Sequence, residues 1–209
     1  MSTHSGTAPA GAHVHRDDVG TRMGMWLFLF TELILFGGMF IVYAVYRYLY
    51  PLEFQIAARE LDTFVGTVNT IILLTSSLTV ALSIAAIQRD RKGLSQLFVG
   101  MTVILAVAFL VNKYFEWGHK IELGLYPGSP VLLAKKGGEI LYFGLYYVMT
   151  GLHALHVIIG MVILVVMMVM IRKGTITRDS HARLEAGGLY WHLVDLIWIF
   201  LFPLFYLLH

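Results

Sequence analysis

The 209-residue chain contains no cysteine. Disulfides, thiol catalysis and cysteine-ligated metals are excluded at once. Charge is scarce as well: Asp, Glu, Lys and Arg supply 13% of the residues, about half of what a water-soluble domain of this size carries. The net charge is only +2, with basic residues scattered over loops, so no nucleic-acid partner is expected. The N-terminus lacks a basic stretch followed by a short apolar core and a cleavage site. No cleaved signal peptide is therefore expected, and the first apolar segment is read as a permanent anchor. Apolar residues fill the space: they make up 58% of the chain, with a mean hydropathy of +0.74. Such a composition belongs to an integral membrane protein.

A polar tail over residues 1–21, holding His4, His13 and His15, is expected to be flexible and solvated. Residues 22–209 form the membrane domain. Its apolar runs fall at about 23–48, 64–87, 97–117, 140–171 and 188–208, each long enough to cross a bilayer as a helix. The fold class is therefore all-α, a bundle of five transmembrane helices. Five crossings put the termini on opposite sides. The side of the N-terminal tail carries Arg16, Arg22, Arg89, Arg91, Lys92, Arg172, Lys173, Arg178 and Arg183. The other side carries only Arg47, Arg59, Lys113, Lys120, Lys135 and Lys136. The bias predicts a cytoplasmic N-terminus and an outer C-terminus.

Against this apolar background the polar residues stand out. Glu32 falls midway along the first segment, where an unpaired carboxylate would cost several kcal/mol; it should be protonated or bonded to a neighbour. Tyr43, Tyr46, Tyr48 and Tyr50 read as an interfacial belt ended by Pro51. In the second segment Asn69, Ser76 and Ser83 recur every seven residues, and Thr75, Thr79 and Ser83 every four. They make one small polar stripe suited to contact with another helix. Lys113 and Glu116, at i,i+3, can pair either as an interfacial pair with a snorkelling lysine or in a functional role.

His153 and His156 sit near the middle of the fourth segment on nearly the same helix face, which should be buried against protein. Gly144, Thr150, Gly151, Ala154 and Gly160 would let neighbours approach closely. Glu185 precedes the fifth segment. Within that segment His192 and Asp195 share a face, so the carboxylate can orient the imidazole. Trp191 shares a face with Asp195, and Trp198 follows Trp191 by two turns. Buried hydrogen bonding is the simplest role for these groups.

Four stretches, in order, give the chain a likeness. They are Thr31-Glu-Leu-Ile-Leu-Phe36, Asn69-Thr-Ile-Ile-Leu-Leu-Thr-Ser-Ser77, Thr150-Gly-Leu-His-Ala-Leu-His-Val-Ile-Ile-Gly160, and Glu185 with Tyr190-Trp-His-Leu-Val-Asp-Leu-Ile-Trp198. Together they resemble subunit III of the haem–copper respiratory oxidases, the cytochrome c oxidase subunit III family, from about Arg22 to Leu208.

The resemblance implies a seven-helix fold of which this chain holds the last five, as in the short bacterial type. There an enlarged subunit I, with extra helices, supplies the missing pair. Glu32 matches the family's buried, reagent-accessible carboxylate; His153, His156, Glu185, His192 and Asp195 match its characteristic polar residues. Lys113 stands where many relatives carry Gln, three residues before the glutamate that Glu116 matches. By the same resemblance the chain has no catalytic centre and no cofactor of its own, and is part of an enzyme only as a subunit. Haem and copper are expected in subunits I and II; longer members hold phospholipid in a cleft between the first two helices and the rest, and for this chain one wall of such a lipid site must come from elsewhere. Subunit I is the main expected contact, with subunit II, other respiratory-complex subunits and membrane lipids beside it, in the bacterial inner membrane. The expected function is a non-redox accessory one: stabilising subunit I and supporting its proton uptake during oxygen reduction. Glu32, His153 and His156 would be the residues placed to serve lipid or proton supply.

Three other readings compete. The small subunit that accompanies nitric oxide reductases shares the five-helix pattern. A haem-carrying cytochrome needs two imidazoles at one depth. Counted from the inner ends of their segments, His156 and His192 differ by about 12 Å, and His153 lies deeper still on the same helix as His156. A stand-alone proton or small-molecule carrier would be expected to show an inverted repeat or broken helices, and the chain has neither.

Overall fold

The computed structural model describes residues 18–178 and 180–208; the tail histidines lie outside them. Among the described residues there are seven helices: α1 (Asp18–Leu49), α2 (Pro51–Ala58), α3 (Thr63–Gln88), α4 (Lys92–Glu122), α5 (Pro130–Leu133), α6 (Gly137–Arg172) and α7 (Ala182–Tyr206). α1, α3, α4, α6 and α7 are long and apolar enough to cross a membrane, and they are the five expected segments. α2 and α5 are short helices in the loops on one side.

Local chemistry sets the breaks. Pro51 lacks the N–H needed to continue α1 and instead opens α2. The Asp62 carboxylate caps α3 by accepting from the Phe64 N–H at 2.8 Å. The α3–α4 turn is tight, with Asp90 at φ 57°, a left-handed position that Asp tolerates better than most residues. Gly174, at φ 71°, ends α6.

Several helices outrun their apolar runs. α4 starts at Lys92 and runs to Glu122, well beyond the expected 97–117. α7 starts at Ala182, six residues before the expected 188, so Glu185 lies inside its first turn. It also stops at Tyr206, before the expected 208. α1 begins at Asp18, so the end of the expected tail is helical.

α7 is the hub. It packs against α1, α3 and α6, while α4 closes the bundle by packing on α3 and α6. α3 and α7 run antiparallel and are laced by indole donors: Trp191 Nε1 to Ser76 Oγ and Trp198 Nε1 to Thr70 Oγ1, each at 3.0 Å. Both indoles are fully buried. Gly160 of α6 makes room for Trp191; a Cβ there would stand 2.8 Å from the ring. Gly151 approaches Trp117 in the same way, whereas Gly144 faces open space instead of a neighbour.

The last carbonyls of a helix have no partner within it. In α7 three other helices supply one each. Tyr43 of α1 donates to Leu204 O, Tyr142 of α6 to Phe205 O at 2.7 Å, and Thr63 of α3 to Tyr206 O at 3.1 Å. Tyr43 is therefore a buried cap, not a member of the interfacial belt; Tyr48, by contrast, is exposed.

Candidate functional site

Glu32, His156, His153, Lys113 and Glu116 form three interior groups along α6. Nearest one end, Glu32 of α1 meets His156 of α6, with Oε2 2.9 Å from Nε2. The other ring nitrogen, Nδ1, lies 2.8 Å from the Leu152 carbonyl. A carbonyl can only accept, so Nδ1 carries a hydrogen. One further proton then lies between imidazole and carboxyl, giving either an imidazolium–carboxylate or a neutral imidazole–acid pair. The midway carboxylate has the neighbour its position demands, and Phe36 closes edge-on over the imidazole at 5.4 Å.

His153 lies one turn away. A separation of three residues rotates the two side chains by about 60°, enough to send them to different neighbours. His156 turns to α1, whereas His153 turns to α4 and α7, edge-on to Phe109 at 5.6 Å and tilted against Trp198 at 5.3 Å. The near-common face expected of the pair is thus divided between two contacts. His153 is sealed from solvent, and neither ring nitrogen finds a hydrogen-bond partner among the described residues.

Beyond Trp198 stands the third group. Lys113 Nζ is 3.1 Å from Glu116 Oε2, 2.8 Å from Tyr206 OH and 3.2 Å from Tyr146 OH. Tyr146 and Tyr206 in turn both donate to Glu116 Oε1, the former at 2.5 Å. Three ammonium hydrogens meet three oxygens, and each phenol accepts from the lysine while donating to the glutamate. The network is closed and electrically neutral. The Tyr146, Trp198 and Tyr206 rings lie 5.1–5.4 Å from Nζ, within cation–π range. Lys113 is 4% exposed and Glu116 8%, so the snorkelling interfacial pair is not what forms. The ammonium points inward because phenols and a carboxylate await it there.

The α3 stripe is the helix contact that its spacing predicts. Asn69 Oδ1 accepts from Asn112 Nδ2 at 3.0 Å, Thr79 meets Thr102 at 2.8 Å, and Ser83 meets Ser95 at 2.9 Å. Thr75 leaves the stripe: it is exposed and donates to Ile71 O of its own helix. In α7, Trp191 and Trp198 reach α3 as described. His192 Nδ1 bonds Ser77 Oγ at 2.5 Å, so Ser77, not Asp195, orients the imidazole. The Asp195 carboxyl is buried, and neither oxygen meets the geometry of a hydrogen bond among the described residues. Glu185 pairs with His181 at 3.1 Å and receives Gln88 of α3 at 3.5 Å.

Tyr146 and Tyr206 are not among the polar residues that the sequence singles out, Tyr43 enters there only as part of the interfacial belt, and Ser77 only as the end of a family stretch. A tyrosine at helical spacing inside an apolar run is the only trace the first three leave. No three His, Asp or Glu among the described residues converge as metal ligands would. His156 is committed to α1 and His192 to α3, so these imidazoles do not face one another.

A multi-pass membrane protein with polar side chains bonded between helices inside the bundle is the class that this fold and site define. Within that class, a model of the family "Cytochrome c oxidase subunit III" matches residues 3–209; the chain belongs to that family. A cytochrome c oxidase subunit 3 from Synechocystis is 36% identical over 203 residues, covering 96% of this chain and 81% of the relative. A heme-copper oxidase subunit I+III from Aeropyrum pernix is 33% identical over 193 residues, covering 89% of this chain but 22% of that longer protein. A cytochrome bo(3) ubiquinol oxidase subunit 3 from Pseudomonas aeruginosa is 29% identical over 196 residues, with 94% and 88% covered.

Proposed function

We propose that this chain is the non-redox accessory subunit III of a proton-pumping haem–copper terminal oxidase. It holds subunit I in its working shape and keeps that subunit's proton uptake sustained. The observation that carries the reading is how the ionisable groups are used. Glu32 is closed on His156, and Lys113 on Glu116 inside a tyrosine cage, so each charge serves as a rivet between helices rather than as an open reaction centre. A rigid scaffold beside a catalytic subunit needs this kind of interior.

Subunit I is the main partner, in keeping with the Aeropyrum relative named for I and III together. Subunit II and annular phospholipid complete the surroundings, and haem and copper reside in subunits I and II. The bacterial inner membrane is the location, with the N-terminus cytoplasmic by the distribution of basic residues. Relatives named for cytochrome c and for ubiquinol oxidases both resemble this chain over most of its length, so the choice of electron donor is assigned to the partner subunits.

The test is purification through a tag on this chain. The expected product contains haem-bearing subunit I, consumes oxygen and does not reduce nitric oxide. With Glu32→Gln it should still assemble, and any deficit should appear in the durability of turnover or in proton supply. Recovery without haem, or nitric oxide reduction in place of oxygen consumption, would overturn the reading.

A further inference from the structure

Threonines on the outward faces of the bundle bond within their own helices. Thr31 donates to Phe28 O at 2.7 Å, Thr67 to Thr63 O at 2.8 Å and Thr75 to Ile71 O at 2.7 Å. Each of these three hydroxyls is satisfied by its own helix and asks nothing of the lipid. His192 differs. Its Nδ1 is engaged by Ser77, but Nε2 has no partner among the described residues. Unlike both nitrogens of His153, Nε2 is not sealed inside the protein, and the residue is only half-buried.

Depth makes this costly. His192 is ten residues into the 25-residue α7, about 15 Å from its start, and thus near the centre of a hydrocarbon layer roughly 30 Å thick. Ser77 stands at the matching level of α3. Lipid tails offer an imidazole nitrogen nothing, and water at that depth is scarce. Around this polar spot lie exposed Leu74 and Leu78 on α3 and Leu196 and Ile199 on α7. The result is an apolar seam with one hydrogen-bonding notch at mid-membrane.

We infer that the α3–α7 seam is the docking face for a transmembrane helix of subunit I, which presents a hydrogen-bonding side chain to His192 Nε2. The inference rests on the subunit III reading and adds the face and the contact. A relative that carries I and III in one chain is consistent with a fixed intramembrane contact between the two. The mid-membrane stretch of α6 around Leu155, Ile158 and Val162 is also exposed and offers no such notch, so it is assigned to lipid.

The experiment uses the whole oxidase in native membranes. Benzoylphenylalanine is placed at Leu196, beside the notch, or at Leu155 on the α6 face, and the membranes are irradiated. The expected adduct joins subunit I to position 196 and lipid alone to position 155. In parallel, His192→Phe should lower the subunit I retained after a detergent wash by about 3- to 20-fold, the worth of one hydrogen bond between membrane helices. His192→Gln, which keeps a polar atom near the Nε2 position, should restore most of the loss. Lipid-only or self adducts at position 196, or subunit I adducts only at position 155, would overturn the assignment. So would a His192→Phe complex as durable as the parent. If the tagged chain recovers no subunit I at all, it is the subunit III reading that falls; if subunit I is recovered but never crosslinks at position 196, only this face is wrong.

Discussion

Replacing Lys113 by Met tests whether the tyrosine cage holds a true buried ion pair. The substitution keeps length and apolar contact but removes the positive charge. Glu116 would then retain the two phenol donors while losing its directly bonded counter-charge, in a site where it is 8% exposed. Breaking a buried pair from one side costs about 3–5 kcal/mol. Glu116→Gln strands the ammonium instead, and a loss near the lower end of that range follows because the amide oxygen still accepts.

The double variant Lys113→Met/Glu116→Leu should be more stable than either single one. Both charges are gone, and the two hydroxyls left behind can serve each other, because Tyr146 OH and Tyr206 OH already stand 3.4 Å apart. What remains is one imperfectly satisfied hydroxyl, worth about 1–3 kcal/mol. Unfolding in mixed detergent–SDS micelles, followed by tryptophan fluorescence, would give all three values. If each single change costs under about 1 kcal/mol, or if the double variant is no more stable than either single one, the closed-cage argument is wrong.

Glu32→Gln should preserve a hydrogen bond to His156, so helix association should fall by no more than about 1 kcal/mol, whereas Glu32→Leu, which strands His156 Nε2, should cost about 1–3 kcal/mol by the same micelle titration. Gly160→Ala puts a Cβ 2.8 Å from the Trp191 ring and should destabilise by about 1–3 kcal/mol; Gly144→Ala, with nothing within 4 Å, should be neutral or raise stability by up to about 1 kcal/mol. Tyr142→Phe removes the donor to Phe205 O and should cost about 1–2 kcal/mol, visible as faster hydrogen exchange in the last turn of α7.

How much of this was legible in the chain depends on the range over which each signal acts. The count and order of spanning helices follow from hydropathy, because the bilayer imposes one length scale on every crossing. The helix ends do not follow from it. Hydropathy stops where Lys92 and His119 begin, but backbone hydrogen bonding does not, so α4 continues at both ends and α7 begins early enough to enclose Glu185. The α3 stripe could be read because its period places small polar residues on one face, and any helix laid there meets them.

The partner of Glu32 could not be read in the same way. The cost of an isolated carboxylate demands some neighbour, but it does not say that the neighbour is 124 residues away. Tyrosine misleads most, because its ring satisfies the apolar pattern while its hydroxyl is invisible to it. Near a segment end the interfacial reading is the ordinary one, and Tyr48 obeys it. Tyr43 obeys another demand: α7 ends among helices rather than in water, so its last carbonyls take donors from α1, α3 and α6. That demand accounts for Tyr43 and Tyr142, and the third donor, to Tyr206 O, is the Thr63 hydroxyl. A helix terminus drawn into an apolar interior is well met by a side chain that is greasy along its length and polar at the tip, as Tyr43 and Tyr142 are.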